Sequence, residues 1–334
     1  MKPTGFFPQL NELDMQLQEF FENDGINESI LYQIKDYIIK WKVEQNKSKL
    51  KIIFNLLSNI TAYHHVGSKF YEKFDAIISI FDPSSFKKLS PKKLFNIFSY
   101  NLRALPYLLD KQIIDSQFKK RIKKKKDINF INNFNYKTDN YQNETYIASI
   151  IREDAIDEFI IYTTQQNVGV DTYIQPSKFE TNPILSERTV SLIEYAAFFG
   201  SLQIFKYLKL NNAELTSFLW IAAVHSNNPE LIHEIEGLHT KPKDETFREC
   251  IEEAIKCHDN NVASYIIEQL TTKKQEDYYT IGFRYYDFGF FLQDLDYGYL
   301  FLFLFEYDYF DIVKLLINSG YVNPNQNLKV PFIF

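Results

Sequence analysis

One segment constrains the chain more than any other: Ser191–Leu215, SLIEYAAFFGSLQIFKYLKLNNAEL. It reads as two short helices reversed at Gly200 and ended near Asn212. Ile204, Phe205, Tyr207 and Leu208 supply an apolar face at helical spacing. Ala196 and Ala197 leave room for a neighbouring helix to approach. Gly200 permits the sharp reversal, and Asn212 stands where a left-handed residue, usually Gly, ends such a helix. A helix pair of this size cannot bury its apolar face alone. Neighbours of the same kind must therefore stack on it.

The rest of the second half supplies them. Leu219–Ile235 repeats the pattern around Ala222-Ala223, with Leu231, Ile232 and Ile235 behind it. Ile251–Leu270 repeats it around Ala254, with Val262, Tyr265 and Ile266. Leu302–Gly320 gives a fourth copy, whose second helix spans 311–318, and a weaker pair at Ile147–Thr163 begins the series. The inner-row marks fall at 197, 223, 254 and 305. The last interval greatly exceeds the roughly 33 residues of an even array. Either a degenerate unit or an insertion fills it.

The first half is helical by the same criterion. Leu13, Leu17, Phe20 and Phe21 share one helical face, as do Ile30, Ile34, Tyr37, Ile38 and Trp41, with Asn27-Glu28 as a start signal. Leu50–Leu57 and Phe70–Phe81 continue the theme. Asp82-Pro83-Ser84-Ser85 breaks it, and Ser90-Pro91 opens another helix with proline in its favoured first turn. Lys119–Asn143 changes character: the basic run KKRIKKKK is followed by an Asn-rich stretch. The expected organisation is a helical region over 1–118, a basic and Asn-rich connector over 119–145, and repeats over 146–334. The fold class is all-α, an α-solenoid in which a helical array leads into an irregular repeat stack.

Composition agrees. Hydrophobic residues form 45% of the 334, ample for a core, while 10 Gly and 11 Pro are too few for the turns of an all-β protein. The net charge of −6 argues against a surface that coats nucleic acid. The start, MKPTGFFPQLNELD, has no apolar stretch of signal-peptide type. The longest apolar run, 299–305, falls far short of the roughly 20 residues a membrane span needs. Two cysteines without a secretory signal suggest free thiols in a reducing compartment. The expected location is intracellular, in the cytoplasm, with the nucleus as the alternative.

At LIEYAAFFGSLQIFKYL, LWIAAVHSNNPELIHEIE, ECIEEAIKCHDNNVASYII and FDIVKLLINSG the chain resembles the ankyrin-repeat superfamily. It is most similar to the divergent ankyrin-like proteins, with an N-terminal helical region, that are expanded in parasitic protists. The resemblance covers about 147–325 well and the first half loosely. It implies a non-catalytic scaffold that binds a protein partner, and it assigns no ligand residues. The usual Thr-Pro-Leu-His entry is here Ser191-Leu192-Ile193-Glu194. The hydrogen bonds that Thr and His make between repeats are therefore absent or replaced.

Candidate chemistry is sparse. His225, His233, His239, Cys250, Cys257 and His258 gather in one region, which suggests a metal. Structural zinc sites, however, pair ligands two to four residues apart, twice over. Cys250 and Cys257 are seven apart and read as buried thiols on one helical face. His233-Glu234 lacks the second histidine of the metalloprotease helix, since position 237 is Gly. No catalytic residue, metal ligand or cofactor is expected, and the chain reads as no enzyme. The contact residues expected to face an unidentified protein partner are Glu194, Tyr195, Phe198 and His225, with Tyr285 and Tyr286 as a second choice. The run Lys119, Lys120, Arg121, Lys123, Lys124, Lys125 and Lys126 reads as a solvated connector. Its alternatives are a nuclear-import signal or a polyanion contact, which would make the chain a nuclear or nucleic-acid-associated factor. Phe130, Phe134, Tyr136 and Tyr141 could then stack on RNA. The aromatic block Tyr278–Phe310 must be covered, by internal packing or by a partner. Alternation over 299–303 fits a strand, though the helix that follows favours a repeat's first helix. The apolar end, Pro331–Phe334, must fold back or dock.

Overall fold

The computed structural model describes residues 6–64, 66, 69–122, 125–136, 142–177, 179–238, 240–272, 278–291, 304 and 309–318. Helices dominate, and the fold is all-α. Among these residues the only strand pairing is a two-residue antiparallel contact, β1 (Tyr173–Ile174) with β2 (Val190–Ser191). The expected strand at 299–303, His239, Tyr141, Lys123, Lys124, Gly320 and Pro331–Phe334 lie outside the described residues.

The first half is built from seven helices. They are α1 (Phe6–Glu22), α2 (Glu28–Lys40), α3 (Lys47–Tyr63), α4 (Phe70–Ile78), α5 (Pro83–Lys87), α6 (Pro91–Phe98) and α7 (Leu105–Asp110). Their starts follow the local chemistry, at Asn27 and Ser90 as the sequence predicts. Asn27 accepts from Ser29 N and Ile30 N to begin α2, and Asn46 caps α3 in the same way. Asp82 and Ser90 cap α5 and α6, each with proline in the first turn. α3 is buried over most of its length and is central to this half. Its Phe54 stacks on Phe86 and packs edge-on against Phe81.

The segment expected as a connector is partly ordered into the core. A 3₁₀ turn, Ser116–Arg121, and helix α8 (Lys125–Asn133) bury Phe118, Phe130, Ile131 and Phe134. The Phe134 ring meets Tyr71 of the first half and Phe179 of the second. Phe130 and Phe134, offered above as stacking platforms for RNA, are therefore core residues.

The second half repeats one unit. α9 (Tyr146–Arg152) pairs with α10 (Ile156–Gln165), and α11 (Leu192–Phe198) with α12 (Leu202–Leu210). α13 (Phe218–Ser226) pairs with α14 (Pro229–Gly237), and α15 (Arg248–Lys256) with α16 (Asn260–Leu270). α17 (Tyr279–Tyr285) pairs with α18 (Phe288–Phe291). The first helices pack side by side in the order α9, α11, α13, α15, α17. Each inter-helix turn contains one left-handed residue: Asp154, Gly200, Asn227, His258 and Tyr286. In four of the five turns the next N–H reaches back five residues to close the helix end. Ala155 donates to Ile150 O, Ser201 to Ala196 O, Asp259 to Ala254 O and Asp287 to Gly282 O. The long interval is thus filled by a degenerate unit, α17–α18, whose turn falls 28 residues after that of the preceding pair. The last helix among the described residues, α19 (Phe310–Asn318), follows and packs on α3.

Small residues do what their size allows. Ala196, Ala197, Ala222, Ala223 and Ala254 are fully buried in the row of first helices. Ser191 begins α11 with a reciprocal cap: its hydroxyl accepts from Glu194 N, and Glu194 Oε2 accepts from Ser191 N at 2.8 Å. Glu194 Oε1 also accepts from Thr216 Oγ1 of the next unit at 2.5 Å. This bond ties one helix pair to the next.

Candidate functional site at the seam between the halves

The two halves meet along the C-terminal ends of the first helices. Arg103 Nε donates to Thr181 Oγ1, and the Tyr63 ring packs edge-on against Tyr285 at 5.5 Å. Asp311 of α19 accepts from Ser48 Oγ at 2.9 Å and from Lys51 Nζ at 2.6 Å. Gly289 lies where an added Cβ would stand 2.5 Å from Asn11 Oδ1 and 2.6 Å from Asn260 Nδ2. A side chain at this position would have to push these two amides aside for α18 to stay this close to α1.

The most polar part of the seam is the turn Cys257-His258-Asp259. Each side chain serves a different neighbour. His258 Nδ1 donates to both oxygens of Asp14 at 2.8–2.9 Å, and Nε2 donates to Tyr285 O at 3.0 Å. With both ring nitrogens facing acceptors, this imidazole is a cation. Burial opposes the charge, but Asp14 and Asp287 outweigh it and push the pKa up to about 9. Asp287 Oδ1 accepts from Asn260 Nδ2 and Phe290 N, while Oδ2 has no partner. Burial pushes its carboxyl up to about 6, against the pull of His258. Asp259 Oδ1 lies 3.9 Å from His64 Nδ1, and burial pushes this carboxyl up to about 7. His64 stands between Cys257 O and Glu22 Oε1; burial opposes its charge, but Glu22 and Asp259 raise its pKa above the ordinary value.

Cys257 faces the other way. Its Sγ lies 3.4 Å from His225 Nδ1 and 3.5 Å from Glu253 Oε1, which are themselves 2.8 Å apart. Glu253 and Cys257 are four residues apart and project from one side of α15, while His225 comes from the last turn of α13. Burial lowers the His225 pKa. Glu253 is held low despite its burial by Lys256 and His225, and burial raises the Cys257 thiol well above its ordinary value. The His225 ring stacks on Phe198 at 3.9 Å. It also lines a small pocket of about 20 Å³ together with His64, Arg103, Glu180 and Asn182. Glu180 Oε2 is buried without a partner. Burial raises this carboxyl.

Four of the side chains expected to face a partner are therefore interior. Glu194 is tied into the helix cap, Tyr195 OH accepts from Arg152 Nη1 at 2.8 Å, and Phe198 and His225 stack in the core. They are buried because the first half and the segment before α11 cover the faces that an open stack would expose. Tyr285 and Tyr286 are half-buried, the first against Tyr63 and the second between Phe288 and Tyr309. Of the basic run, Lys120 and Arg121 are exposed at the end of the 3₁₀ turn, and Lys119 reaches toward Asn132. Lys125 and Lys126 begin α8. Cys250 is buried, as expected, but it belongs to α15 away from the Cys257 cluster. Asp14, His64, Glu253 and Asp287 were not found from the sequence. The available signal was His258, a non-glycine residue standing where the turn needs a left-handed backbone.

A second concave feature is a groove of about 720 Å³ between α4, α5, α6 and α7, with a floor of Phe81, Phe86, Leu94 and Tyr107. On its rim Asp75 accepts from Tyr107 OH at 2.5 Å and pairs with Lys111. These contacts, led by the Tyr107 hydrogen bond, hold the Asp75 carboxyl below its ordinary range. Among the described residues no helix is long and apolar enough to cross a membrane. Set against known proteins, the chain finds no match: no family model, no curated protein and no solved structure is similar to it.

Proposed function

We propose that the chain is a non-catalytic protein-interaction scaffold, an irregular α-solenoid of ankyrin-like helix pairs buttressed by its own N-terminal helices. The observation that carries the reading is the row of five helix pairs, each reversed at one left-handed residue. Stacking of this kind builds a long rigid surface from a small unit. The thiols support the non-catalytic part: Cys257 at the seam and Cys250 on α15 are both buried, and burial raises each above its ordinary value.

The partner contact we favour is on the outer edge of the array. Tyr146 on α9, Ile161 on α10 and Leu210 on α12 are 53%, 57% and 78% exposed on helices that pack against one another. Large apolar side chains on adjacent helices suit the core of a protein interface. Proximity labelling in the native cell with the wild-type chain should mark a small reproducible set of proteins. The double variant Ile161→Lys, Leu210→Glu should fold with an unchanged melting temperature and lose them. An identical set of neighbours for both chains would remove this surface from the reading.

A further inference from the structure

The geometry points to a zinc site formed by His225 Nδ1, Glu253 Oε1 and Cys257 Sγ. We infer that the seam is built around this ion. The three donors converge from two helices, with separations of 2.8, 3.4 and 3.5 Å. Tetrahedral zinc with bonds of about 2.0–2.3 Å sets such donors about 3.3–3.7 Å apart. The two edges that include sulfur already have that length, and the nitrogen–oxygen edge needs to open by only a few tenths of an ångström. The chemistry of the set suits the ion: one thiolate, one imidazole and one carboxylate oxygen, a mixture that zinc accepts and calcium or magnesium does not.

The surroundings supply what a metal-bound imidazole requires. A histidine ligand passes the proton on its other nitrogen to a carboxylate, a carbonyl or a water. His225 Nε2 faces Asn182 Nδ2 at 3.4 Å, the outer limit of a hydrogen bond, so that amide holds it only weakly. The small pocket of about 20 Å³ that His225 lines is large enough for one water. Glu180 lines the same cavity, and its Oε2 is buried with nothing to accept from. With zinc on Nδ1 the ring proton moves to Nε2 and is received by Glu180 through that water. The unpartnered oxygen then has an explanation. Glu253 offers Oε1 to the ion while Lys256 pairs with Oε2, which fixes the carboxylate in a one-oxygen mode. As the zinc–sulfur bond forms, the Cys257 thiol releases its proton to solvent.

The neighbouring triad of Asp14, His258 and Asp287 also brings three donor atoms together. It does not suit a cation, because both nitrogens of His258 are engaged as donors and neither has a lone pair for a metal. The two triads, one residue apart in the chain, thus divide the work: a proton charges one, and the metal charges the other.

The test uses the full chain, purified without chelator and then loaded with zinc or cobalt. One zinc per folded chain should survive dialysis, and the cobalt form should show a thiolate-to-metal charge-transfer band in the near ultraviolet. Cys250→Ser should keep the band and Cys257→Ser should abolish it. Glu180→Gln, which leaves all three ligands in place, should weaken zinc by about 10–100-fold. A folded wild-type chain that retains no stoichiometric zinc and shows no charge-transfer band overturns the site. That result does not depend on whether Cys257→Ser folds. A band lost in Cys250→Ser and kept in Cys257→Ser overturns it equally.

Discussion

At Gly200 and at His258 the chain makes the same turn, with φ near +69° and +64° and the same hydrogen bond closing the preceding helix. Gly200 brings nothing but room. A Cβ there would stand 3.4 Å from the Ser226 side chain and 3.6 Å from Asn228, so the turn is shaped by its neighbouring unit. His258 takes the strained conformation with a full side chain, which reaches Asp14, 244 residues away, on α1. One turn serves the stack and the other serves the seam. An irregular repeat can thus keep its backbone while releasing a side chain for a different task.

Four experiments probe this contrast. The largest effect should come from His258→Ala, which leaves Asp14 and Asp287 buried without their cation. Breaking a buried pair in this way costs about 3–5 kcal/mol, read by urea unfolding of the whole chain. His258→Gly should recover about 1 kcal/mol of that loss, because glycine adopts the left-handed turn freely. Equal stability of the two variants would mean that the turn carries no strain.

Gly289→Ala comes next. Its Cβ meets the amides of Asn11 and Asn260 at 2.5 and 2.6 Å, and overpacking of this kind costs about 1–3 kcal/mol. Gly200→Ala should cost about 1–2 kcal/mol from the backbone alone and should leave the seam intact. If Gly200→Ala proves the more damaging of the two, the seam is looser than its contacts suggest.

The smallest effect concerns pH. The Asp311 carboxyl is held below its ordinary range, burial notwithstanding, by Lys51 and Ser48. A depressed carboxylate adds stability that is present above its unfolded value near 4 and fades as the pH falls below it. The pair is partly exposed, so its share is under about 1 kcal/mol. Asp311→Asn should flatten the acid limb of the stability profile by that amount and leave the neutral region nearly unchanged.

Much of the helical layout was legible because it is written in local chemistry. Asn27 and Ser90 announce helix starts, and Gly200 and Asn212 take the left-handed backbone expected of them. The fifth unit, α17–α18, was not legible. Its turn residue is Tyr286, and nothing in a tyrosine signals a left-handed turn. The contact surface was misjudged for a related reason. Glu194, Tyr195, Phe198 and His225 were read against an open stack, where the far side of a first helix is exposed. A helix such as FLWIAAVHS, apolar on every side, is the mark of an element covered all round, and that mark was available. The seam pairs remained hidden because they join residues 14 and 258, or 51 and 311. No periodicity connects positions so far apart.

An open stack of helix pairs can lose its outermost layers one at a time, since each unit touches only its neighbours. Here α19 is fastened to α3 through Asp311, and the fourth turn to α1 through His258. Fraying at the C-terminal end therefore has to break the N-terminal half as well. Amide hydrogen exchange in α16 and α17 should then follow the opening of the whole molecule, not a local one. The same fastening delays assembly. The final contacts close a loop of more than two hundred residues, which places them among the last and slowest events of folding.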